Sequence, residues 1–326
     1  MKNIMIVATG GTIAGVGDSG KSATYQAGEI NIENIIQSIP VLSSLANLKA
    51  TQFLNIDSNE MNNEYWVSLN HYINELVLDD NIDGIVVTHG TDTLEETAYF
   101  LNLTLKTYKP VVFTGAMRPA TSTSADGPMN LYQAVALACS QDAMGHGVMA
   151  VFSDTIYSGR DIQKENNFKT DAFYSKDFGC LGYMRDDQAY FFTRSYKKHT
   201  LQSIFSAKPL ETLPEVGIAY YHVGASIKVL ESLATYCKGI IIVGSGSGNY
   251  SKNWLLKIEE LSQKGIIFVR SSRVTNGIVF DSDVFDPKQV TIPSNTLSPQ
   301  KARVLLMLCL TQTTDFKKIR QLFSEY

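Results

Sequence analysis

Two short segments place hydroxyl side chains where chemistry can use them: Ala8-Thr9-Gly10-Gly11-Thr12-Ile13-Ala14-Gly15 and Thr88-His89-Gly90-Thr91-Asp92-Thr93-Leu94-Glu95-Glu96. Each follows a short apolar run, which predicts a turn at the end of a strand, the position at which open α/β sheets bind ligands. A turn needed only for topology is satisfied by Gly, Asn or Asp. Here threonines take those positions, and a carboxylate, Asp92, stands beside one of them. A threonine hydroxyl is a weak nucleophile at neutral pH and requires a base or a charge-tuned neighbour to lose its proton. Tyr25 lies in the loop after Thr12, Asp92 adjoins Thr91, and Lys164 follows Gly159-Arg160-Asp161 in an irregular stretch. Spacing alone does not bring these groups together, and it leaves open that the threonines only satisfy turn backbone groups.

Other patterns compete for attention. Gly15-Val16-Gly17-Asp18-Ser19-Gly20-Lys21-Ser22 matches the phosphate-loop pattern GxxxxGK[ST]. That mechanism needs a strand running directly into the first Gly and a helix starting at the Lys, so that backbone N–H groups point at phosphate. The first apolar run ends well before Gly15 and no helical period follows Lys21, so a glycine-rich loop is expected instead. Gly244-Ser245-Gly246-Ser247-Gly248-Asn249 follows an apolar run but has Asn249 where the dinucleotide fingerprint has its last Gly, which predicts a tight strand-to-helix turn. The five histidines form no HExxH pair and no GxSxG elbow is present. The four cysteines, Cys139, Cys180, Cys237 and Cys309, are far apart without metal-ligand spacing, so they are expected to be buried free thiols, as fits a reducing compartment.

The elements that must carry these turns are legible as short apolar runs alternating with amphipathic segments. Ile4–Val7, Gln52–Ile56, Gly84–Val87, Pro110–Thr114 and Val148–Phe152 read as strands, and Asn31–Ser38, Asn62–Leu78, Leu94–Leu105 and Asn130–Ser140 as helices. This β–α order predicts an α/β fold with a larger N-terminal, mainly parallel, doubly wound sheet. Lys164–Arg194 reads as irregular and aromatic, with a hairpin around Asp186-Asp187, and Ser195–Pro214 as a linker. The order resumes with strands at Val216–Tyr221, Gly239–Val243 and Ile266–Val269. Helical patterns there are Ser226–Tyr236, Asn253–Lys264 and a closing region from Ser298. The expected organisation is a catalytic domain over residues 1–194, a linker over 195–214 and a smaller α/β domain over 215–326.

The chain has 326 residues, 44% of them hydrophobic and 18% charged, enough for two ordinary globular domains. A net charge of −4, spread along the sequence, argues against a nucleic-acid or polybasic membrane surface and for a small ligand. No stretch approaches the roughly 18 apolar residues of a membrane span. Met1-Lys2-Asn3 runs straight into the first strand, which places the chain as written in the cytoplasm; a periplasmic form trimmed of its leader would look the same.

The sequence resembles the bacterial-type L-asparaginases of the type II asparaginase/glutaminase family. Thr9-Gly10-Gly11-Thr12-Ile13-Ala14 resembles that family's first signature and His89-Gly90-Thr91-Asp92-Thr93-Leu94-Glu95-Glu96-Thr97 its second. Gly115-Ala116-Met117-Arg118-Pro119, Ser124-Ala125-Asp126-Gly127-Pro128, Gly159-Arg160-Asp161 with Lys164, Ser271-Ser272-Arg273-Val274 and Pro299-Gln300-Lys301-Ala302-Arg303-Val304 extend the likeness over nearly the whole chain.

The resemblance implies hydrolysis of L-asparagine to L-aspartate and ammonia, with room for some L-glutaminase activity and without cofactor or metal. Thr12 would be the nucleophile and Tyr25 its proton acceptor, while Thr91, Asp92 and Lys164 would form a second cluster. Substrate would be bound by Gly11, Ser58, Asn59, Gly90, Asp92 and Ala116, and by Asn249 and Asp283 of a neighbouring copy. The resemblance also implies a homotetramer of two intimate dimers. Asn59 stands where the family has Gln or Glu, and the alignment at Asp283 is loose. The segment Gly15–Gly20 would belong to a lid over Thr12. Two rival classes remain at this stage: a phosphate-loop nucleotide-binding protein, and an amino-acid sensor that binds through Ser58 and Asp92 without turnover.

Overall fold

The run Ile4-Met5-Ile6-Val7 forms the middle of strand β1 (Lys2–Gly10), whose residues from Ile4 onward are all buried. A strand that is apolar on both faces belongs inside a parallel sheet covered on both sides, and β1 lies there. In the computed structural model all residues from Met1 to Tyr326 are described except Ser19, Ser22, Ala23, Thr24, Ala27, Lys176 and the side chain of Tyr25.

The first of two compact units spans Met1–Leu210. After β1 it contains β2 (Val16–Gly17), β3 (Tyr25–Gln26), α1 (Ile32–Gln37), α2 (Leu42–Leu45), β4 (Ala46–Ile56), α3 (Asn63–Leu78), β5 (Gly84–Thr88), α4 (Leu94–Thr104) and β6 (Val111–Thr114). It continues with α5 (Gly127–Cys139), β7 (Val148–Phe152), β8 (Thr155–Ser158), β9 (Ile162–Lys164), β10 (Phe173–Ser175), β11 (Gly182–Arg185) and β12 (Gln188–Phe191). Among the described residues the main sheet has eight strands in the order β12-β11-β8-β7-β6-β5-β1-β4. Strands β4, β1, β5, β6 and β7 are parallel, and β8, β11 and β12 are antiparallel. Ile4, Ile6, Val86, Val112 and Met149 pack on one face with Ile32, Leu42, Leu131 and Val135 from α1, α2 and α5. The alternating residues Val7, Ile85, Val87, Phe113 and Ala150 are buried as well, so both faces are covered.

This topology decides where a ligand sits. From β1 the chain passes to β4 on one side and then returns to β5 on the other. The loops leaving β1 and β5 therefore diverge at the C-terminal edge of adjacent parallel strands, a topological switch point that opens a crevice. Those loops are the two threonine turns.

The second unit spans Glu211–Tyr326. It contains β13 (Val216–Tyr220), α6 (Lys228–Leu233), β14 (Gly239–Gly244), α7 (Lys252–Gln263), β15 (Ile267–Ser272), β16 (Thr291–Pro293), α8 (Pro299–Gln312) and α9 (Phe316–Glu325). Its four strands are parallel in the order β13-β14-β15-β16. Ile240, Ile242 and Phe268 pack against Trp254 and Ile258 of α7, and the Trp254 indole donates to the Ala225 carbonyl at 3.0 Å.

Several expectations change in detail. The stretch Lys164–Arg194 is not wholly irregular: it holds the end of β9 together with β10, β11 and β12, and the expected hairpin turns at Asp186-Asp187 between β11 and β12. Strand β4 begins at Ala46 rather than Gln52, because its exposed edge tolerates the polar residues that obscured it. The short strand β16 escaped sequence reading. Cys237 and Cys309 are buried, but Cys139 and Cys180 are only half-buried. Within the stretch read as a linker, Thr200–Gln202 and Ile204–Ser206 form helical turns whose Thr200 and Phe205 are buried in the first unit. Ser245–Asn249 closes on itself through paired backbone bonds of 2.8 and 2.6 Å, the tight turn expected there.

The phosphate-loop reading does not fit. Ser19 and Ser22 lie outside the described residues, but Val16–Gly17 pairs antiparallel with Tyr25–Gln26, and the Lys21 ammonium binds the Asp18 carboxylate at 3.1 Å. Among the described residues the first α-helix starts only at Ile32. The segment instead lies along 121–123, with Gly17 N–H bound to Thr121 and Gly20 N–H to the Thr121 carbonyl. The suggested lid falls partly on residues outside the description.

Candidate active site

The β1 turn reverses the chain over two glycines. Gly10 has φ +104° and Gly11 has φ +83° with ψ −173°, a region open to glycine alone. Thr12 then begins a single helical turn, Thr12–Ala14. A β-carbon on Gly11 would fall 2.4 Å from Cα of Gly90, and one on Gly90 would fall 2.7 Å from Cβ of Ser58. The turns after β1 and β5 are thus packed backbone to backbone, and the Ser58 side chain of the turn after β4 lies against Gly90. Side-chain bonds fix them: Thr9 Oγ1 donates to the Thr88 carbonyl at 2.9 Å, and Thr93 Oγ1 to the Ser58 carbonyl at 2.7 Å.

These turns open onto one cavity of about 540 Å³, lined by Gly11, Thr12, Ser58, Gly90, Thr91, Asp92 and Lys164. The Lys164 ammonium donates to Thr91 Oγ1 at 2.8 Å and to Asp92 Oδ1 at 2.6 Å. That hydrogen bond and charge, with a weaker bond from Asn59, hold the Asp92 carboxyl below its ordinary range despite partial burial. The Lys164 side chain is 14% exposed and that of Asp92 54%, so solvent screens the pair and it adds little to stability. Its consequence is chemical: an ammonium fixed against a hydroxyl that it can polarise.

Beneath the turns, His89 is fully buried, and its Nδ1–H donates to the Gly90 carbonyl at 2.8 Å. Burial lowers its pKa to about 4, so the ring is neutral at neutral pH. A trans peptide directs C=O and N–H to opposite sides, so the His89 bond also fixes the direction of the Thr91 N–H.

The expected site residues fall into three groups. Thr12, Thr91, Asp92, Lys164, Ser58, Gly11 and Gly90 converge on the cavity. Asn59 is exposed and does not line it, its Nδ2 bridging Asp57 at 2.7 Å and Asp92 at 3.3 Å. Ala116 is buried in the core, while its neighbours Met117 and Arg118 line the cavity. Asn249 and Asp283 belong to the second unit. Asn249 closes its turn there, and Asp283 is exposed and accepts from Gln289 at 3.2 Å. The Tyr25 side chain lies outside the described residues.

Sequence reading missed Asp57, Met117, Arg118, Asn167 and Phe168 in the cavity wall. Met117 and Arg118 are held by the Asp126 carboxylate, which accepts both of their backbone N–H groups at 2.9 Å. A Gly-x-x-Arg-Pro segment followed by an Asp just before a helix was the one available signal. Among the described residues no cluster of three His, Cys, Asp or Glu is arranged to hold a metal ion, and no helix is long and apolar enough to cross a membrane.

Comparison with known proteins agrees with this architecture across both units. Residues 3–197 match the family model "Asparaginase, N-terminal", and residues 215–323 match "Glutaminase/Asparaginase C-terminal domain". A relative named "Probable L-asparaginase periplasmic" from Haemophilus influenzae is 43% identical, covering 100% of this chain and 93% of its own length. "Glutaminase-asparaginase" of Pseudomonas fluorescens biotype A is 44% identical, covering 100% of this chain and 91% of its own. The crystal structure of a "Probable Cytoplasmic L-asparaginase" from Campylobacter jejuni superposes with a TM-score of 0.96 at 46% identity, covering 100% of each chain. Switch-point cavity and paired α/β units together define a two-domain enzyme scaffold. The chain belongs to the asparaginase family.

Proposed function

We propose that this protein is an L-asparaginase that hydrolyses L-asparagine to L-aspartate and ammonia through a threonine nucleophile, with L-glutamine as a side substrate. In this reading Thr12 Oγ1 attacks the side-chain amide carbon while its proton passes to the Tyr25 phenolate. A tyrosine ordinarily titrates near ~10, so this base needs positive charge or hydrogen-bond donors beside it. The tetrahedral oxyanion is held by backbone N–H groups of the threonine turns, each donor contributing a few kcal/mol or about 10²-fold or more in rate. Collapse breaks the C–N bond, and ammonia leaves with the transferred proton. Water polarised at Thr91 by Lys164 then attacks the acyl-threonine ester, releasing aspartate and restoring the Thr12 hydroxyl. Asp92 receives the substrate α-ammonium in a charge-assisted bond, and Ser58 binds the α-carboxylate; Asn59 supports Asp92.

One observation carries the reading: the Lys164 ammonium is shared between Thr91 and Asp92 in the cavity that Thr12 also lines. A binding protein has no need of that cluster. The names of the relatives support the substrate. The test is ammonia release from L-asparagine by the purified protein between pH 6 and 9. Release supports the proposal; a thermal shift with aspartate but no ammonia would favour a sensor and end it.

We infer further that the working form is a homotetramer of two intimate dimers, with Asn249 and Asp283 of a second copy completing the site. Its test is the mass in solution, with activity falling as dilution dissociates the assembly. Relatives carry names placing them in the cytoplasm or the periplasm, and cell fractionation decides between these compartments for this chain.

A further inference from the structure

Lys164 is gripped at both ends by one five-residue segment. Its ammonium donates to Thr91 Oγ1 at 2.8 Å and Asp92 Oδ1 at 2.6 Å, and its backbone N–H donates to Glu95 Oε2 at 2.7 Å. Glu95 lies in the first turn of α4, directly after the loop that carries Thr91 and Asp92, and is 4% exposed. Lys164 needs such an anchor. It ends β9, a three-residue strand that among the described residues pairs only with β10, in a ribbon outside the main sheet. A lysine side chain has about 2 kcal/mol of rotamer entropy to lose, so a drifting backbone would let the ammonium leave Thr91.

We propose that Glu95 is a positioning residue that fixes the Lys164 backbone so that its ammonium stays between Thr91 and Asp92. Glu95 acts by reach rather than by charge: the carboxylate oxygen is a hydrogen-bond acceptor for a backbone N–H, and a buried N–H without an acceptor is costly. The inference rests on the reading in which Lys164 serves Thr91, and its test separates the two.

The test compares two variants. Glu95→Gln keeps an acceptor oxygen at the same reach and removes the charge; Glu95→Asp keeps the charge and withdraws the oxygen by one methylene. With L-asparagine, Glu95→Asp is expected to lose about 10- to 100-fold in kcat, the usual scale for a misplaced group. Its KM should change less than its kcat, because Asp92, which receives the substrate α-ammonium, keeps its carboxylate while losing part of its hold on Lys164. Glu95→Gln should keep kcat within about threefold of wild type.

A second readout needs no turnover: the Asp92 carboxyl, followed by NMR against pH. Its facing groups are the Lys164 ammonium and the Asn59 amide, with Asp57 and Arg118 elsewhere in the cavity wall. In Glu95→Asp its titration should move up towards the ordinary carboxylate range, and in Glu95→Gln it should stay depressed. Equal losses in both variants that track their unfolding midpoints, or an unmoved Asp92 titration in Glu95→Asp, would overturn the inference. If the wild type releases no ammonia but Asp92 shifts as described, the anchoring stands and the proposed reaction falls.

Discussion

Gly11 and Gly90 approach so closely that a β-carbon on the first would lie 2.4 Å from Cα of the second. This contact sets the separation of the β1 and β5 turns and so brings Thr12 and Thr91 to one cavity. Gly11→Ala should therefore cost about 1–3 kcal/mol of stability from backbone strain alone. Activity should fall further, by roughly 10²-fold, because the turns are pushed apart. Denaturant midpoints and kcat/KM for L-asparagine check both parts. A Gly11→Ala protein of wild-type activity would show that the close approach is incidental.

Thr91→Val removes the hydroxyl that Lys164 binds and keeps the side-chain volume. The ammonium keeps Asp92 as partner, so the fold should be retained, while kcat falls by about 10³-fold or more if the hydroxyl works as part of a unit. Steady-state kinetics with circular dichroism on the same sample is the measurement. A loss below tenfold would remove Thr91 from the chemistry.

Lys164→Met tests the electrostatics. The Lys164 hydrogen bond and charge are the main reason the Asp92 carboxyl titrates low. A carboxylate depressed in the folded state contributes stability above its unfolded pKa and loses it as pH falls through the folded pKa. Without Lys164 the Asp92 titration should rise towards the ordinary carboxylate range, since burial is then opposed only by the weaker Asn59 bond. Carboxyl NMR between pH 2 and 7 reads this directly, and an unshifted Asp92 would assign its low pKa to another group.

His89, with a pKa lowered to about 4 by burial, carries the proton in the unfolded chain but not in the folded one between about pH 6.5 and 4. Stability should therefore be full above the unfolded value and decline as pH falls through that window. Imidazole NMR should find His89 neutral at pH 6 with its proton on Nδ1, the nitrogen facing the Gly90 carbonyl. A charged His89 at pH 6 would contradict this account of the turn.

How much of this was legible differs by element. The parallel strands β1, β5, β6 and β7 announce themselves because strands covered on both faces are continuous apolar runs. Strands β9 and β10 span three residues each and β16 three more, too short for any period, and only their partners define them. Thr12, Thr91 and Asp92 were legible because hydroxyls and a carboxylate in strand-end turns are out of place as mere punctuation. Lys164 was legible as a candidate but its partners were not: they lie 72 and 73 residues away in sequence. Arg118 had a signal in the Gly115–Pro119 segment and its Asp126 anchor, whereas Asn167 and Phe168 reach the cavity from a loop shaped by local bonds to Asn166 and Ala172 that mark no ligand contact. Glu95 looks like any acid in a helix's first turn, where charge alone favours one.

The central claim is that the Thr12 hydroxyl attacks the amide. Its most direct test is the initial rate of ammonia release from L-asparagine by Thr12→Ala beside the wild type, both shown to be folded. The account predicts rapid release by the wild type and a loss of about 10³-fold or more in the variant. A Thr12→Ala protein that kept a tenth or more of wild-type turnover would contradict it.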